Sequence, residues 1–155
     1  MRRAMKVLAV VSTALILALA QGPAFAQSAR VDKASEKSFE TTVKQVETAL
    51  KSKGMMIVAT IDHQNMMKMV GMSVKGSKTI EFGKPDMGKM LFAADAAAGL
   101  ELPGKIYVYE RGDGKTVVSY SKASAGFAAY GKEELKKIGQ MMDMMLEEIA
   151  AEATK

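Results

Sequence analysis

Residues 106–120, IYVYERGDGKTVVSY, are the stretch of this 155-residue chain that says most about its fold. Apolar side chains recur at every second position on both sides of a central RGDG turn, at Ile106, Val108, Val118 and Tyr120. Such alternation is typical of β-strands that bury one face. The Asp113-Gly114 pair supplies the positive backbone angles that a tight hairpin needs. The sequence therefore predicts two antiparallel strands joined by a short turn.

A helix and two further strands are predicted upstream of this hairpin. Ser38 is typical of a helix N-cap, and Gly54 of a left-handed helix end. Between them, the apolar face of the helix is formed by Phe39, Val43, Val46 and Leu50. Residues 55–61, MMIVATI, form an apolar run rich in branched residues, which predicts a central strand. Residues 78–82 alternate in polarity and predict a half-buried strand.

Two more helices are predicted between the strands. Asp62 can cap a short helix from His63 to Val70, which Gly71 ends. Pro85 is typical of the first turn of a helix, and this helix is expected to run to about residue 98. Residues 121–130 are small and only weakly helical in pattern.

Residues 132–151 predict a long amphipathic helix. The side chains expected to face the core lie within about 60° of one line on a helical projection. They are Leu135, Ile138, Met142, Met145 and Ile149, with Leu146 at the edge of the stripe. Met144 lies nearly opposite and is predicted to face water or a partner. The exposed side of residues 141–145 is therefore a candidate surface for a homodimer or another partner.

The first 26 residues have the pattern of a secretory signal peptide cleaved after Ala26. Basic residues at positions 2, 3 and 6 precede an apolar run of about 14 residues, which is short for a ~30 Å hydrocarbon core. The sequence predicts a secreted, periplasmic protein with no membrane span after cleavage, exported by the general secretion route rather than the twin-arginine route. Residues 27–37 form a polar lead-in, either a tether or a short strand near residues 29–32.

Composition excludes several classes of function. The leader holds three of the 22 basic residues and none of the 17 acidic ones, so the mature chain has 19 against 17 and a net charge of +2. It has no basic stripe with interleaved aromatic residues, so nucleic acid is not an expected partner. The chain has no cysteine, which excludes disulfides and thiolate metal ligands.

Several short motifs follow one another in a recognisable order. They are Ser38-Phe39, Thr42-Val43, Ile61-Asp62-His63, Gly71, Phe82-Gly83 with Pro85, Leu102-Pro103, Lys105, Asp113-Gly114 and Ser119-Tyr120. Over about residues 35–130, the chain thereby resembles the bacterial family catalogued as domain of unknown function 302. The resemblance implies an α+β fold, a two-layer sandwich in which a curved, mostly antiparallel sheet has helices packed on one face. It also implies association as dimers, and it implies no agreed biochemical activity.

The chain departs from the pattern of this family in three places. Lys84 stands where asparagine is common, and Met66, Met67 and Met69 stand where small or charged residues are usual. The long methionine-rich helix at residues 131–155 looks like an addition to a single α+β domain at residues 38–130. Any special function is therefore expected where the methionines are.

The strongest candidate site is a soft-metal site around the only histidine of the chain. On a helix that starts after Asp62, His63, Met66 and Met67 share one face, and Met69 flanks it. Imidazole and thioether ligands suit Cu(I), and a secreted protein without cysteine would have to use them. One alternative is that His63 only satisfies local hydrogen bonds and that the methionines fill gaps in the core or at a dimer interface. Another is that exposed thioethers scavenge oxidants reversibly, which the sequence does not distinguish from metal binding.

Enzymatic and haem-binding functions have weaker support. No nucleophile motif surrounds the scattered serines, and paired carboxylates occur only on faces expected to be solvated. Haem held by His63 and a methionine ranks below copper because no covalent attachment motif is present. The sequence therefore favours a non-enzymatic binding or accessory protein, with an interaction module built on the methionine-rich helix as the alternative. An enzyme that used His63 would need a concave polar pocket around that side chain.

Overall fold

The computed structural model describes residues 29–155 of the chain. The expected signal peptide at residues 1–26 lies outside the described residues. The five strands are β1 (Arg30–Ser35), β2 (Met56–Asp62), β3 (Ser77–Gly83), β4 (Gly104–Glu110) and β5 (Thr116–Ser121). The α-helices are α1 (Phe39–Ser52), α2 (His63–Met69), α3 (Pro85–Ala94), α4 (Ala123–Phe127) and α5 (Glu133–Thr154). Two 3₁₀ turns, Ala96–Glu101 and Ala128–Tyr130, complete the described chain.

The strands form one antiparallel sheet in the order β1-β5-β4-β3-β2. The predicted hairpin is confirmed, because β4 pairs with β5 in a register that sets Val108 opposite Val118. Gly114 in the turn has a φ of 84°. A positive φ of this kind is what the Asp-Gly pair predicted.

Helices α1, α3 and α5 supply side chains to a core on one face of this sheet. The most completely buried residues include Val46 and Leu50 of α1, Leu91 of α3, Leu135 and Ile149 of α5, and Ile80, Phe82, Ile106, Val108 and Val118 of the strands. The two-layer α+β architecture is therefore confirmed, with α1, α3 and α5 packed on one face of the sheet. Residues between these strand positions, such as Thr79, Tyr107 and Tyr109, lie on the opposite face.

The first predicted helix is confirmed in its start and its buried face. The Ser38 hydroxyl accepts a hydrogen bond from the Thr41 amide, which caps α1. All four side chains expected to face the core are buried, namely Phe39, Val43, Val46 and Leu50. Gly54, with a φ of 71°, follows the helix as predicted.

The prediction that residues 55–61 form a central strand is wrong, because β2 lies at the edge of the sheet. Its register shifts between Ile57 and Ala59, a β-bulge that is common at sheet edges. Met56 and Val58 are 61% and 64% exposed. The run is apolar on both faces because Ile57 packs against the core while Met56 and Val58 line a cavity.

The polar lead-in is more ordered than its composition indicates. Arg30–Ser35 forms all of β1, which pairs with β5 along its whole length. The strand is therefore longer than the one predicted near residues 29–32. The pairing explains how a polar segment joins the sheet, since its main chain supplies the hydrogen bonds while its side chains alternate between solvent and the core.

The later helices match their predictions with two adjustments. Helix α3 ends at Ala94 instead of continuing to residue 98, because Asp95 is extended and its carboxylate accepts from the Ala97 amide to start the 3₁₀ turn. In α5, Leu146 is buried and Met145 only partly so, which moves the centre of the stripe toward Leu146. Met144 is 61% exposed, as predicted. None of the helices within residues 29–155 is both long and apolar enough to cross a membrane.

Glu147 ties the long helix to the sheet. Its carboxylate accepts hydrogen bonds from Lys33 Nζ of β1 and, at 2.8 Å, from the Tyr120 hydroxyl of β5. The Lys33 ammonium and the Tyr120 hydroxyl hold the pKa of Glu147 below its usual range, whereas burial and the carboxylate raise the pKa of Tyr120. The helix and two neighbouring strands are therefore joined by one polar cluster.

Candidate functional site

Helix α2 carries the four residues predicted to bind a soft metal. The Asp62 carboxylate accepts from the Asn65 amide at 2.8 Å and caps the helix, as predicted. Gly71, with a φ of 80°, follows two residues after the helix ends. The helix is thus ordered by its own sequence, with Asp62 fixing the point from which His63 projects.

His63 lies against the face of the sheet opposite the core. Its Nε2 atom lies 2.8 Å from the Thr79 hydroxyl oxygen of β3, and either atom can be the donor according to the tautomer. Its ring meets the ring of Tyr107 edge to face, with centroids 5.9 Å apart. These contacts fix the orientation of the imidazole.

The methionines of the predicted site differ in exposure. Met66 is 49% and Met69 is 79% exposed, whereas Met67 is half-buried. Within residues 29–155, no group of three or more His, Asp or Glu side chains is arranged to hold a metal ion. A soft-metal site at α2 would therefore depend on these thioethers together with His63, and that site stays a prediction.

A band of polar and aromatic side chains continues from His63 across the same face of the sheet. Tyr107 stacks on Tyr109 with ring centroids 5.0 Å apart, and the Tyr107 hydroxyl lies 2.6 Å from the Ser77 hydroxyl. The Arg30 guanidinium donates to the Tyr109 hydroxyl at 3.1 Å and to Asp32 at 2.8 Å. The band reaches from β3 to β1, and its polar groups form hydrogen bonds with one another.

Asp32 is held in its charged form at the far end of this band. Desolvation acts to raise the pKa of this carboxyl, but the Ser119 hydroxyl and the Arg30 guanidinium outweigh it and lower the pKa below the usual range. A carboxylate paired in this way is a poor general acid or base near neutral pH. The band is therefore better suited to fixing the sheet surface than to proton transfer.

A polar cavity of about 690 Å³ lies beside α2. Its lining residues are Asp62, Gln64, Asn65, Lys68, Gly71, Met72, Ser73 and Val74, and His63 is not among them. A catalytic role for His63 called for a polar pocket around its ring, and this cavity does not provide one.

A second cavity, of about 380 Å³, lies at the other end of β2 and is almost entirely apolar. It is formed by β2, β3, α3, α5 and the segment before β4, and we call it the apolar cavity. Its lining residues are Met55, Met56, Val58, Phe82, Gly83, Lys84, Pro85, Met87, Gly88, Leu91, Leu102, Pro103, Ile138 and Met142. Val58, the lining residue of β2 that is nearest to His63 in sequence, precedes it by five residues, which is roughly 16 Å along an extended strand.

The rim and wall of the apolar cavity contain two unusual positions. Lys84 is the one residue of the lining with a charged side chain, and its Nζ donates to the main-chain oxygen of Lys53 at 3.1 Å. Gly88 lies inside α3, and a Cβ atom added there would meet no heavy atom within 4 Å. One residue with a positively charged side chain therefore lines the cavity, and open space lies beside α3.

Sequence reasoning missed this cavity although it singled out some of its residues. The sequence places Met55 in an apolar strand and Met142 on the core-facing stripe of the last helix, and it marks Lys84 as a departure from a family pattern. Met55, Met87 and Met142 belong to three separate parts of the chain, and only the tertiary structure brings them to one cavity. The high methionine content of the chain could have indicated an apolar binding site, but methionines are also concentrated on α2, so it did not distinguish the two places.

Comparison with known proteins gives two kinds of similarity. Two proteins named fluoride-specific ion channels, FluC 1 of Brucella suis and FluC 2 of Brucella melitensis, are each 32% identical to this chain over 81 residues. The match covers 52% of this chain and 32% and 30% of those proteins, so the chain corresponds to about a third of their length. The crystal structure of an uncharacterized conserved protein DUF302 from Bacillus stearothermophilus has the same fold, with a TM-score of 0.75 and 16% identity over 81% of this chain and 98% of that one.

A family model described as domain of unknown function DUF302 matches residues 31–153. The match begins in β1 and runs almost to the end of α5, so it extends beyond residues 35–130 at both ends. Helix α5 is therefore part of the shared domain and not an addition to it. The chain belongs to the DUF302 family.

Proposed function

We propose that this protein is a non-enzymatic binding protein whose ligand is an apolar molecule held in the apolar cavity. The observation that carries this proposal is the cavity itself, whose volume of about 380 Å³ falls within the range of small-molecule sites. Its walls are mainly aliphatic, aromatic and thioether side chains. An apolar ligand gains about 25 cal/mol for each Å² of apolar surface removed from water.

The methionines of the apolar cavity give the wall an adaptable shape. Met55 and Met142 are buried, Met87 is half-buried and Met56 lies at the exposed rim. Unbranched thioether side chains change rotamer easily and make favourable contacts with many apolar shapes. This property suits a site that accepts a flexible chain better than a site that recognises one rigid molecule.

The proposed role is an accessory one, outside the cytoplasm. The pattern of residues 1–26 supports export. The match to one third of longer proteins named fluoride-specific ion channels supports a role in which this domain works beside other segments or proteins. Amino-terminal sequencing of the exported protein checks the compartment, with Gln27 expected as the first residue.

The methionines also provide the test of ligand binding. The methyl groups of labelled methionines are observed by NMR while 1-decanol is added to the purified protein. The signals of Met55, Met87 and Met142 are expected to shift and saturate, because these side chains line the cavity. The signals of the exposed Met69 and Met144 are the internal control and should stay unchanged. Uniform shifts at all five, or none, would remove the proposal.

A second candidate function, Cu(I) binding at α2, is favoured by the contact of His63 with Thr79. Histidines that bind metals usually donate their other ring N–H to a nearby acceptor. When Nε2 carries the proton, the Thr79 hydroxyl 2.8 Å away is such an acceptor and Nδ1 is left for a metal. Met66 and Met69 are exposed on the same short helix, and they are the candidates for further ligands.

Cu(I) titration against a competing chelator tests this second function. The double variant His63→Ala with Met66→Leu is expected to lose at least tenfold in affinity, because it removes the imidazole and one thioether. Met144→Leu removes a similarly exposed thioether from α5 and should leave the affinity unchanged. Equal affinity of wild type and double variant would show that α2 holds no copper site.

A further inference from the structure

Lys84 adds a charged group to a site that is otherwise apolar. Its side chain is half-buried, and its ammonium is fixed by one hydrogen bond to the main-chain oxygen of Lys53. An ammonium has three donors, so this bond leaves two for other acceptors. The ammonium is therefore held in position while two of its N–H donors remain available to a ligand.

The surroundings of Lys84 provide no acidic partner. In the described part of the chain, Lys53 pairs with Glu148 and Glu152, whereas no carboxylate lies within salt-bridge distance of Lys84. Asp86, in the first turn of α3, is exposed and is not part of the cavity lining. An unpaired ammonium beside apolar surface favours an anion from outside the chain, because the low-polarity wall strengthens the attraction.

We propose that the ligand of the apolar cavity is an amphiphile with an anionic head group, which pairs with Lys84 Nζ while its hydrocarbon chain lies among Met55, Met87 and Leu91. This inference rests on the proposed function and adds the chemical class of the ligand. Carboxylate and phosphate head groups share the required chemistry. The chain lies on the apolar wall, and its affinity should rise about fourfold for each methylene until the cavity is filled.

The test compares three ligands with the same ten-carbon chain, 1-decanol, decanoate and decyl phosphate, by calorimetry at low salt and pH 8. Wild-type protein is expected to bind at least one of the two anions about tenfold more tightly than 1-decanol. Lys84→Met should remove this preference, because methionine keeps an apolar stem but carries no charge. Lys89→Met removes the same charge from an exposed position on α3 and should keep the preference.

The outcomes separate this inference from the proposal on which it rests. If Lys84→Met removes the preference, tighter binding of decanoate identifies the head group as a carboxylate, and tighter binding of decyl phosphate identifies it as a phosphate. Equal affinities for the three ligands, or an anion preference that survives Lys84→Met, would overturn the inference while leaving the apolar cavity a binding site. Failure of all three ligands to bind would overturn both.

Discussion

Gly88→Leu is expected to abolish binding of 1-decanol and to raise the free energy of unfolding by about 1 kcal/mol. Gly88 lies inside α3 and lines the apolar cavity, and a Cβ atom added there would meet no heavy atom within 4 Å, so a leucine side chain is expected to enter the cavity. The gain in stability comes from the higher helix propensity of leucine, to which burial of its side chain adds. Titration with 1-decanol and urea unfolding measure the two effects.

Gly88→Ala is the matched control for this change. Alanine brings the same gain in helix propensity, about 1 kcal/mol, but is too small to fill the cavity. It should therefore stabilise the protein and leave ligand binding nearly intact. A Gly88→Leu protein that still binds 1-decanol as wild type does would show that the ligand lies elsewhere, and a destabilised one would show that the space beside α3 is occupied.

The hairpin and α1 could be predicted because their local signals agree with their tertiary contacts. The Asp113-Gly114 turn and the Ser38 cap each fix a chain direction within a few residues, and the apolar spacing then determines which face is buried. Neither element needed knowledge of its neighbours. The resemblance to the DUF302 family added the layer arrangement that local patterns do not contain.

The position of β2 could not be predicted from its composition. An apolar run on both faces indicates contact with apolar surroundings on both sides, which a central strand and an edge strand beside a cavity share. The deciding facts are the order of the strands and the location of α3 and α5, and these depend on residues far away along the chain. The apolar cavity could not be predicted for the same reason, because its walls come from distant parts of the chain.

For the site around His63, the sequence predicted the helix but not the contacts from the sheet. The sequence placed His63, Met66, Met67 and Met69 on one short helix, and the structure has that helix. It could not reveal that Thr79 and Tyr107 of two different strands would orient the imidazole. Neighbours on one helix are predictable from spacing, whereas contacts from other strands require the register of the sheet.

Gly139→Leu is expected to lower the free energy of unfolding by about 3 kcal/mol or more, the opposite of the effect at Gly88. Gly139 lies where α5 meets α4, and an added Cβ would come 2.6 Å from Ser124 Cα and 3.0 Å from Ser124 N. These are main-chain atoms, which cannot rotate away as a side chain can. The chain around Ser124 is also held to α5, because its amide and hydroxyl both donate to the Asp143 carboxylate.

Urea unfolding of Gly139→Leu, Gly139→Ala and Gly88→Leu tests whether packing or helix propensity decides the effect of replacing a glycine in α3 and in α5. Helix propensity alone predicts stabilisation at both positions, by about 1 kcal/mol. Packing predicts that Gly88→Leu raises the free energy of unfolding and that Gly139→Leu lowers it. Gly139→Ala should lower it less than Gly139→Leu, because a single methyl group forces a smaller separation of α4 and α5. Stabilisation at both glycines would mean that α4 does not lie close to α5. Opposite signs would show that one face of the helical layer is closed by packing while the face toward the apolar cavity remains open to a ligand.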